Sequence, residues 1–336
     1  MNRKNQPLFK PDRAAGLYRP ECEHDACGVG MVCDLNHRKS HTLVRDALKI
    51  LVNLTHRGAC GCDETSGDGA GILVQQPHAF LEKAAEKCRI ALPPAGNYAA
   101  GLVFLPTDQA WRRTIQAAVA DAAQSRGLRF LGWRSVPVDP EAPGDLARQV
   151  MPVIRMAFVG AGDFAGRPGA FERQLFLTRK SAENRVRQMA GMQAGMFHIV
   201  SLSARTIVYK GMLLADQMAA FFSDLGDADF KSALALVHQR YSTNTFPSWD
   251  LAQPLRYLCH NGEINTVRGN INWMRARAPM FRSNQFGRQI SDLLPVTSPG
   301  ASDSASLDNA LELMLHTGRP LAQCVMMLIP EAWQHH

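Results

Sequence analysis

With 336 residues, 46% of them hydrophobic, the chain can bury a full core as one large domain or two small ones, which excludes extensive disorder. No run reaches the roughly 18 apolar residues of a membrane span, and the basic opening MNRKNQPLFKPDR has no apolar stretch behind it, so a soluble cytoplasmic protein is expected. The formal charge of +7 comes from dispersed Lys and Arg without a nucleic-acid motif, which points to anionic substrates or partner domains rather than to nucleic acid or membrane.

The first 20 residues are polar and carry Pro7, Pro11, Gly16 and Pro20, the composition of an extended leader. Structure is expected from Cys27, where CGVGMVCDL reads as a buried strand. VRDALKILVNL then sets Val44, Ala47, Leu48, Leu51 and Leu54 at helical spacing, with Gly58 as the stop. GDGAGILVQ is a glycine turn entering a strand. AAGLVFLP, LRFLGWRSVPV, PVIRMAFVG and FERQLFLTRK read as short strands, with a helix over QAWRRTIQAAVADAAQSR between the first two and a surface loop from Val138 to Gly144. FHIVSLSARTIVYKG reads as two strands joined through Ser203 and Ala204; ALALVHQRYST, PLRYLCHNGEIN and a helix through SLDNALELML follow. Many strands, with helices in separate runs, predict an α+β fold rather than βαβ alternation.

Eight cysteines in a chain of this length, with no secretion signal, are expected as reduced thiols. Cys27 stands apart because it lies where a polar leader meets a strong strand. If the Ala26–Cys27 bond is cut, the new α-amine, with a reference pKa of about 7.7 to 8, can accept the thiol proton, so one residue supplies both nucleophile and base. The alternative is an ordinary buried cysteine.

Three further segments carry polar groups in suggestive order. In CHNGEIN, Asn261 and Gly262 form either a type I′ hairpin turn or a pair of donors converging on an oxyanion. In VHQRYSTNTFPSW, Arg240 ends an apolar strand before a hydroxyl-rich turn containing Ser242 and Thr243; it is either a solvated charge or a forked carboxylate clamp. In SDSASLDNALELML, Leu307, Leu311, Met314 and Leu315 mark one helical face, and Asp303 is either part of the helix cap or a partner for a substrate ammonium group. HRGACGCDETSGDGAG brings His56, Cys60 and Cys62 together, but the spacing does not match zinc sites, and its glycines lack the lysine of a P-loop.

HDACGVG, HRGACG, SGDGAG, HQRYSTNTFPSW, CHNGEINTVRGNINWM, SDSASLDNALELM and IPEAWQ, in this order, resemble the amidotransferase domain of glutamate synthase large subunits, within the class II, N-terminal-nucleophile glutamine amidotransferases. The resemblance implies a leader over residues 1–26 and an amidotransferase domain over 27–336 that is a fragment of a longer protein. It implies a four-layer αββα sandwich of two mainly antiparallel sheets, the N-terminal-nucleophile hydrolase fold. By the same resemblance Cys27 is the nucleophile, Asn261 and Gly262 form the oxyanion hole, Arg240 and Asp303 hold the carboxylate and amino groups of L-glutamine, and Arg57 lies near the site. No cofactor is implied for this chain. FMN, an iron–sulfur cluster and NADPH are implied for the complete enzyme, together with the remaining synthase domains and a small flavoprotein subunit. Two other readings stay open: another amidohydrolase with a terminal nucleophile, and an inactive module that acts only in assembly.

Overall fold

The computed structural model describes residues 28–58, 63, 65–189, 191, 197–239, 246–262 and 264–329. The first half runs β1 (Val29–Cys33), α1 (His41–Asn53), β2 (Ala70–Gln75), α2 (His78–Glu86), β3 (Tyr98–Leu105), α3 (Gln109–Gln124), β4 (Arg129–Ser135), α4 (Asp145–Gln149) and β5 (Val153–Gly160). The second half runs α5 (Pro168–Arg187), β6 (His198–Ile199), β7 (Thr206–Gly211), α6 (Gln217–Phe221), β8 (Leu234–Gln239), α7 (Val267–Arg277), α8 (Asp303–His316) and α9 (Leu321–Leu328).

Two four-stranded sheets result, ordered β1-β8-β2-β7 and β4-β5-β3-β6, and every ladder among the described residues is antiparallel. This is the α+β arrangement expected. The premise of segregated helices is corrected, because helices alternate with strands along most of the chain.

The pleat of β3 explains how the second sheet is buried on both sides. Tyr98, Ala100, Leu102 and Phe104 enter the larger apolar core with α1, α2, β2 and β7, while Ala99, Val103 and Leu105 enter a second core under α3 and α5. Helix α1 starts on a Ser40 cap, whose Oγ accepts from Leu43 N at 3.2 Å, and buries Val44, Ala47 and Leu51. Full burial of a residue such as Leu51 contributes about 1.5–3 kcal/mol. The helix lies so close to β1 that a Cβ on Gly30 would stand 2.3 Å from Ile50 Cγ2. A buried clasp then joins the sheet edges: Arg134 of β4 makes a bidentate pair with Asp224 at 2.6 and 2.8 Å, and Tyr209 of β7 donates to the same carboxylate at 2.9 Å.

Several local expectations change. FERQLFLTRK is the start of helix α5, not a strand; Glu172, Thr178, Arg179 and Lys180 are buried in it alongside the apolar residues, so no apolar period shows. The segments around Ser203 and Ala204 are not a paired hairpin, because β6 joins β3 while β7 joins β2 in the other sheet. Strand β1 is half-buried, since among the described residues it pairs only with β8 and leaves Met31 exposed. Helix α1 ends at Asn53, and Gly58 closes a following 3-10 turn instead.

Candidate active site

The C-terminal end of β8 gathers the segments that carry the expected chemistry. Gln239, its last residue, donates its backbone N–H to Gly28 O at 2.8 Å and lies opposite Ala70. Gly28 follows Cys27 in the chain and Gln239 precedes Arg240, so the two expected residues adjoin hydrogen-bonded neighbours. Cys27, Arg240, Ser242, Thr243, Cys60 and Cys62 themselves lie outside the described residues.

Arg57 is half-buried at the end of the 3-10 turn after α1. Its neighbour Gly58 packs on the same strand end, where a Cβ would meet Gln239 Nε2 at 2.1 Å. One residue back on β8, buried His238 donates through Nε2 to His260 O at 3.1 Å, which draws in the segment bearing Asn261. The ends of four sequence-distant segments therefore meet within two residues of β8.

The segment from Pro254 to Gly262 contains no strand, so CHNGEIN is not the tip of a hairpin. Neither Asn261 nor Gly262 has the positive φ that a type I′ turn requires. What fixes the loop is a set of side chains. His260 N donates to Gln253 Oε1 at 3.2 Å, Tyr257 N and Leu258 N donate to Asp308 Oδ1 at 2.8 and 3.1 Å, and Ile264 N donates to Asp303 Oδ2 at 2.9 Å. Within this frame the Asn261 amide nitrogen and oxygen are both shielded from solvent, and neither has a hydrogen-bond partner among the described residues. A buried amide normally finds partners, because leaving it unpaired costs about 1–3 kcal/mol.

Helix α8 supplies much of that frame and corrects the expected helical face. Leu307, Met314 and Leu315 are only partly buried, whereas Asp303, Asp308, Asn309 and Glu312 are buried with Leu311. Ser302 is the N-cap, accepting from Ala305 N at 3.1 Å, and Asp303 is the first helical residue, accepting from Ser304 N at 2.7 Å. The inward carboxylates meet Arg256, which reaches Asp308 and Glu312 at 3.2 Å each and Asn309 Oδ1 at 2.7 Å. Burial disfavours the Arg256 charge, but Glu312 and Asp308 outweigh it and raise its pKa; burial pushes the Asp308 carboxyl up against the pull of Arg256. Arg179 of α5 bonds Glu312 and Glu183, so the network runs from the loop through α8 into α5.

His238, Gln253, Arg256, Asp308 and Glu312 escape sequence reasoning. The available signal was the like-charged pair Asp308 and Glu312 at i and i+4, which destabilises a helix unless a cation lies between them. A cavity of about 570 Å3 lies between α7 and α8; Asp303 borders it, while Arg57, Asn261 and Gly262 do not. The structure thus brings Gly58 and His260, the neighbours of Arg57 and Asn261, to one strand end, and Asp303 bonds Ile264 two residues beyond Gly262. No cluster of three or more His, Cys, Asp or Glu able to hold a metal occurs among the described residues. No described helix is long and apolar enough to cross a membrane.

Residues 27–336 match the family described as class-II glutamine amidotransferases. The chain belongs to that family. The glutamate synthase [NADPH] large chain of Bacillus subtilis (strain 168) is 47% identical over 323 residues, which cover 96% of this chain and 21% of the relative. The glutamate synthase [NADH] of Schizosaccharomyces pombe is 44% identical over 331 residues, covering 96% of this amidotransferase and 15% of the yeast protein. The ferredoxin-dependent chloroplastic glutamate synthase of Oryza sativa subsp. japonica is 41% identical over 335 residues, covering 99% and 21%. The amidotransferase chain thus spans about a fifth or less of the length of these relatives.

Proposed function

We propose that this amidotransferase hydrolyses the side-chain amide of L-glutamine as the ammonia-producing part of a glutamate synthase. The observation that carries the reading is the buried Asn261 amide, unpartnered among the described residues and held beside the strand end from which the chain continues to Arg240 and to which Gly28 is bonded. A donor fixed in that state acts where charge develops, with no reorganisation at the moment of reaction.

In this reading Cys27 is chain-terminal after removal of residues 1–26, and the family match beginning at residue 27 supports that boundary. The Cys27 α-amine takes the thiol proton, and the thiolate attacks the amide carbon. The Asn261 amide and Gly262 N–H stabilise the oxyanion, the protonated amine donates to departing ammonia, and water releases glutamate from the thioester. Arg240 and Asp303 hold the substrate carboxylate and ammonium, and Arg57 helps to wall the site. The two antiparallel sheets and their helices are read as the core of the αββα N-terminal-nucleophile hydrolase sandwich.

Reductive amination of 2-oxoglutarate, and the FMN, iron–sulfur cluster and reductant it requires, are assigned to other domains of a longer enzyme, with a small flavoprotein subunit as a further partner and the cytoplasm as the compartment. The names of the relatives include NADPH, NADH and ferredoxin, and NADPH is the donor proposed here. The test is glutaminase assay of the purified chain with glutamate and ammonia both measured. One glutamate and one free ammonia per glutamine, abolished by Cys27→Ala and retained by Cys60→Ala and Cys62→Ala, supports the reading; equal loss in the Cys60 or Cys62 variant, with the fold intact, refutes it.

A further inference from the structure

Among the described residues the Asn261 amide has no hydrogen-bond partner, so within them its orientation is inherited from the backbone on either side. That backbone belongs to no ladder. Upstream, one carboxylate grips three consecutive residues: Asp308 Oδ1 accepts from Tyr257 N and Leu258 N, and Asp308 Oδ2 lies 3.2 Å from the Arg256 guanidinium. Asp308 is fully buried, and Glu312 one turn along the helix repels it, so helix stability alone does not account for a carboxylate at this position.

We propose that Asp308 is a positioning residue for glutamine hydrolysis, setting the register of residues 256–258 so that Asn261 presents its amide to the oxyanion in a single orientation. The inference rests on the oxyanion role given to Asn261 above. Downstream, Asp303 secures Ile264, so the first and sixth residues of α8 bracket the loop from both sides. Between the brackets, His260 is held at its N–H by Gln253 and at its carbonyl by His238. Arg256 extends the grip to Asn309 and Glu312, which keeps the upstream bracket from pivoting about Asp308. Asp308 touches no reacting atom in this scheme and acts through Asn261.

Asp308→Asn separates positioning from simple packing. The substitution is nearly isosteric and keeps an oxygen for the two N–H groups, but it sets an amide donor against the Arg256 donors. The test is a double-mutant cycle in glutaminase kinetics on the chain beginning at Cys27, with D308N, N261A and the double variant, and thermal unfolding in parallel. D308N is expected to lower kcat about 10- to 30-fold with KM within about threefold, and N261A to lower kcat about 100- to 1,000-fold. If Asp308 acts through Asn261, the double variant falls no more than about threefold below N261A. Full multiplication of the two losses, or a lower melting temperature with unchanged kcat, overturns the proposal. If D308N does not fold, Arg256→Lys, which keeps the charge and loses the fork, enters the same cycle with the same criteria. A wild-type kcat in N261A instead overturns the oxyanion assignment itself.

Discussion

Replacing Asn261 by Ala should separate stability from activity: the structure gives the sign of the first effect, and the proposed oxyanion role that of the second. Among the described residues the Asn261 amide is shielded at both polar atoms and bonded at neither. Each such group costs about 1–3 kcal/mol when left unpaired, so truncation to Ala removes a penalty rather than a bond. Loss of the amide's packing contacts offsets part of that gain at about 1 kcal/mol. The expected net is zero to about 2 kcal/mol of added stability, a rise in Tm of up to about 3 °C for a chain of this size. Catalysis moves the other way, because one preorganised oxyanion donor is worth about 2.7–4 kcal/mol in the transition state. Differential scanning fluorimetry and steady-state glutaminase kinetics on the same preparation check both signs. A lower Tm together with unchanged kcat would refute the reasoning, since it would make Asn261 a structural residue.

Three other outcomes are expected. Arg240→Lys should chiefly raise KM if Arg240 is the proposed carboxylate clamp, which would act in ground and transition states alike; a loss confined to kcat would reject that role. Asp224→Ala should destabilise by about 3–5 kcal/mol, because it leaves the buried Arg134 cation without its bidentate partner and strands the Tyr209 hydroxyl; urea unfolding within 1 kcal/mol of wild type would contradict this. Burial opposes ionisation of Glu183, yet Arg179 at 2.9 Å and Lys180 override it and hold the carboxyl down to about 2. Its contribution is therefore present above the ordinary value of 4.5 and lost as pH falls toward 2. At most about 3 kcal/mol is at stake, and Glu183→Gln should flatten the stability loss between about pH 5 and 2 in urea titrations.

The sequence was most legible where one physical demand governs a segment. Helices α1 and α3 bury apolar residues on one face against a sheet, and β3 and β5 are nearly uncharged because both faces of their sheet are covered. Helix α5 was misread because it lies between two cores and also buries Arg179 and Lys180, which masks any period. PLRYLCHNGEIN alternates like a strand but has no neighbouring strand to pair with, and long-range side chains fix it instead. The same reason hid Asp308 and Glu312. Charged residues at i and i+4 read as a solvated helix face until Arg256, more than fifty residues upstream in the fold's second half, is known to lie between them.

The claim on which the rest depends is that Cys27, with a free α-amine, is the nucleophile. Intact-mass spectrometry and glutaminase turnover on one preparation, followed as residues 1–26 are removed, test it most directly. The account predicts that turnover rises in proportion to the fraction of chains beginning at Cys27 and is absent from chains that retain Met1. Full turnover in a preparation whose mass shows Met1 retained would contradict it.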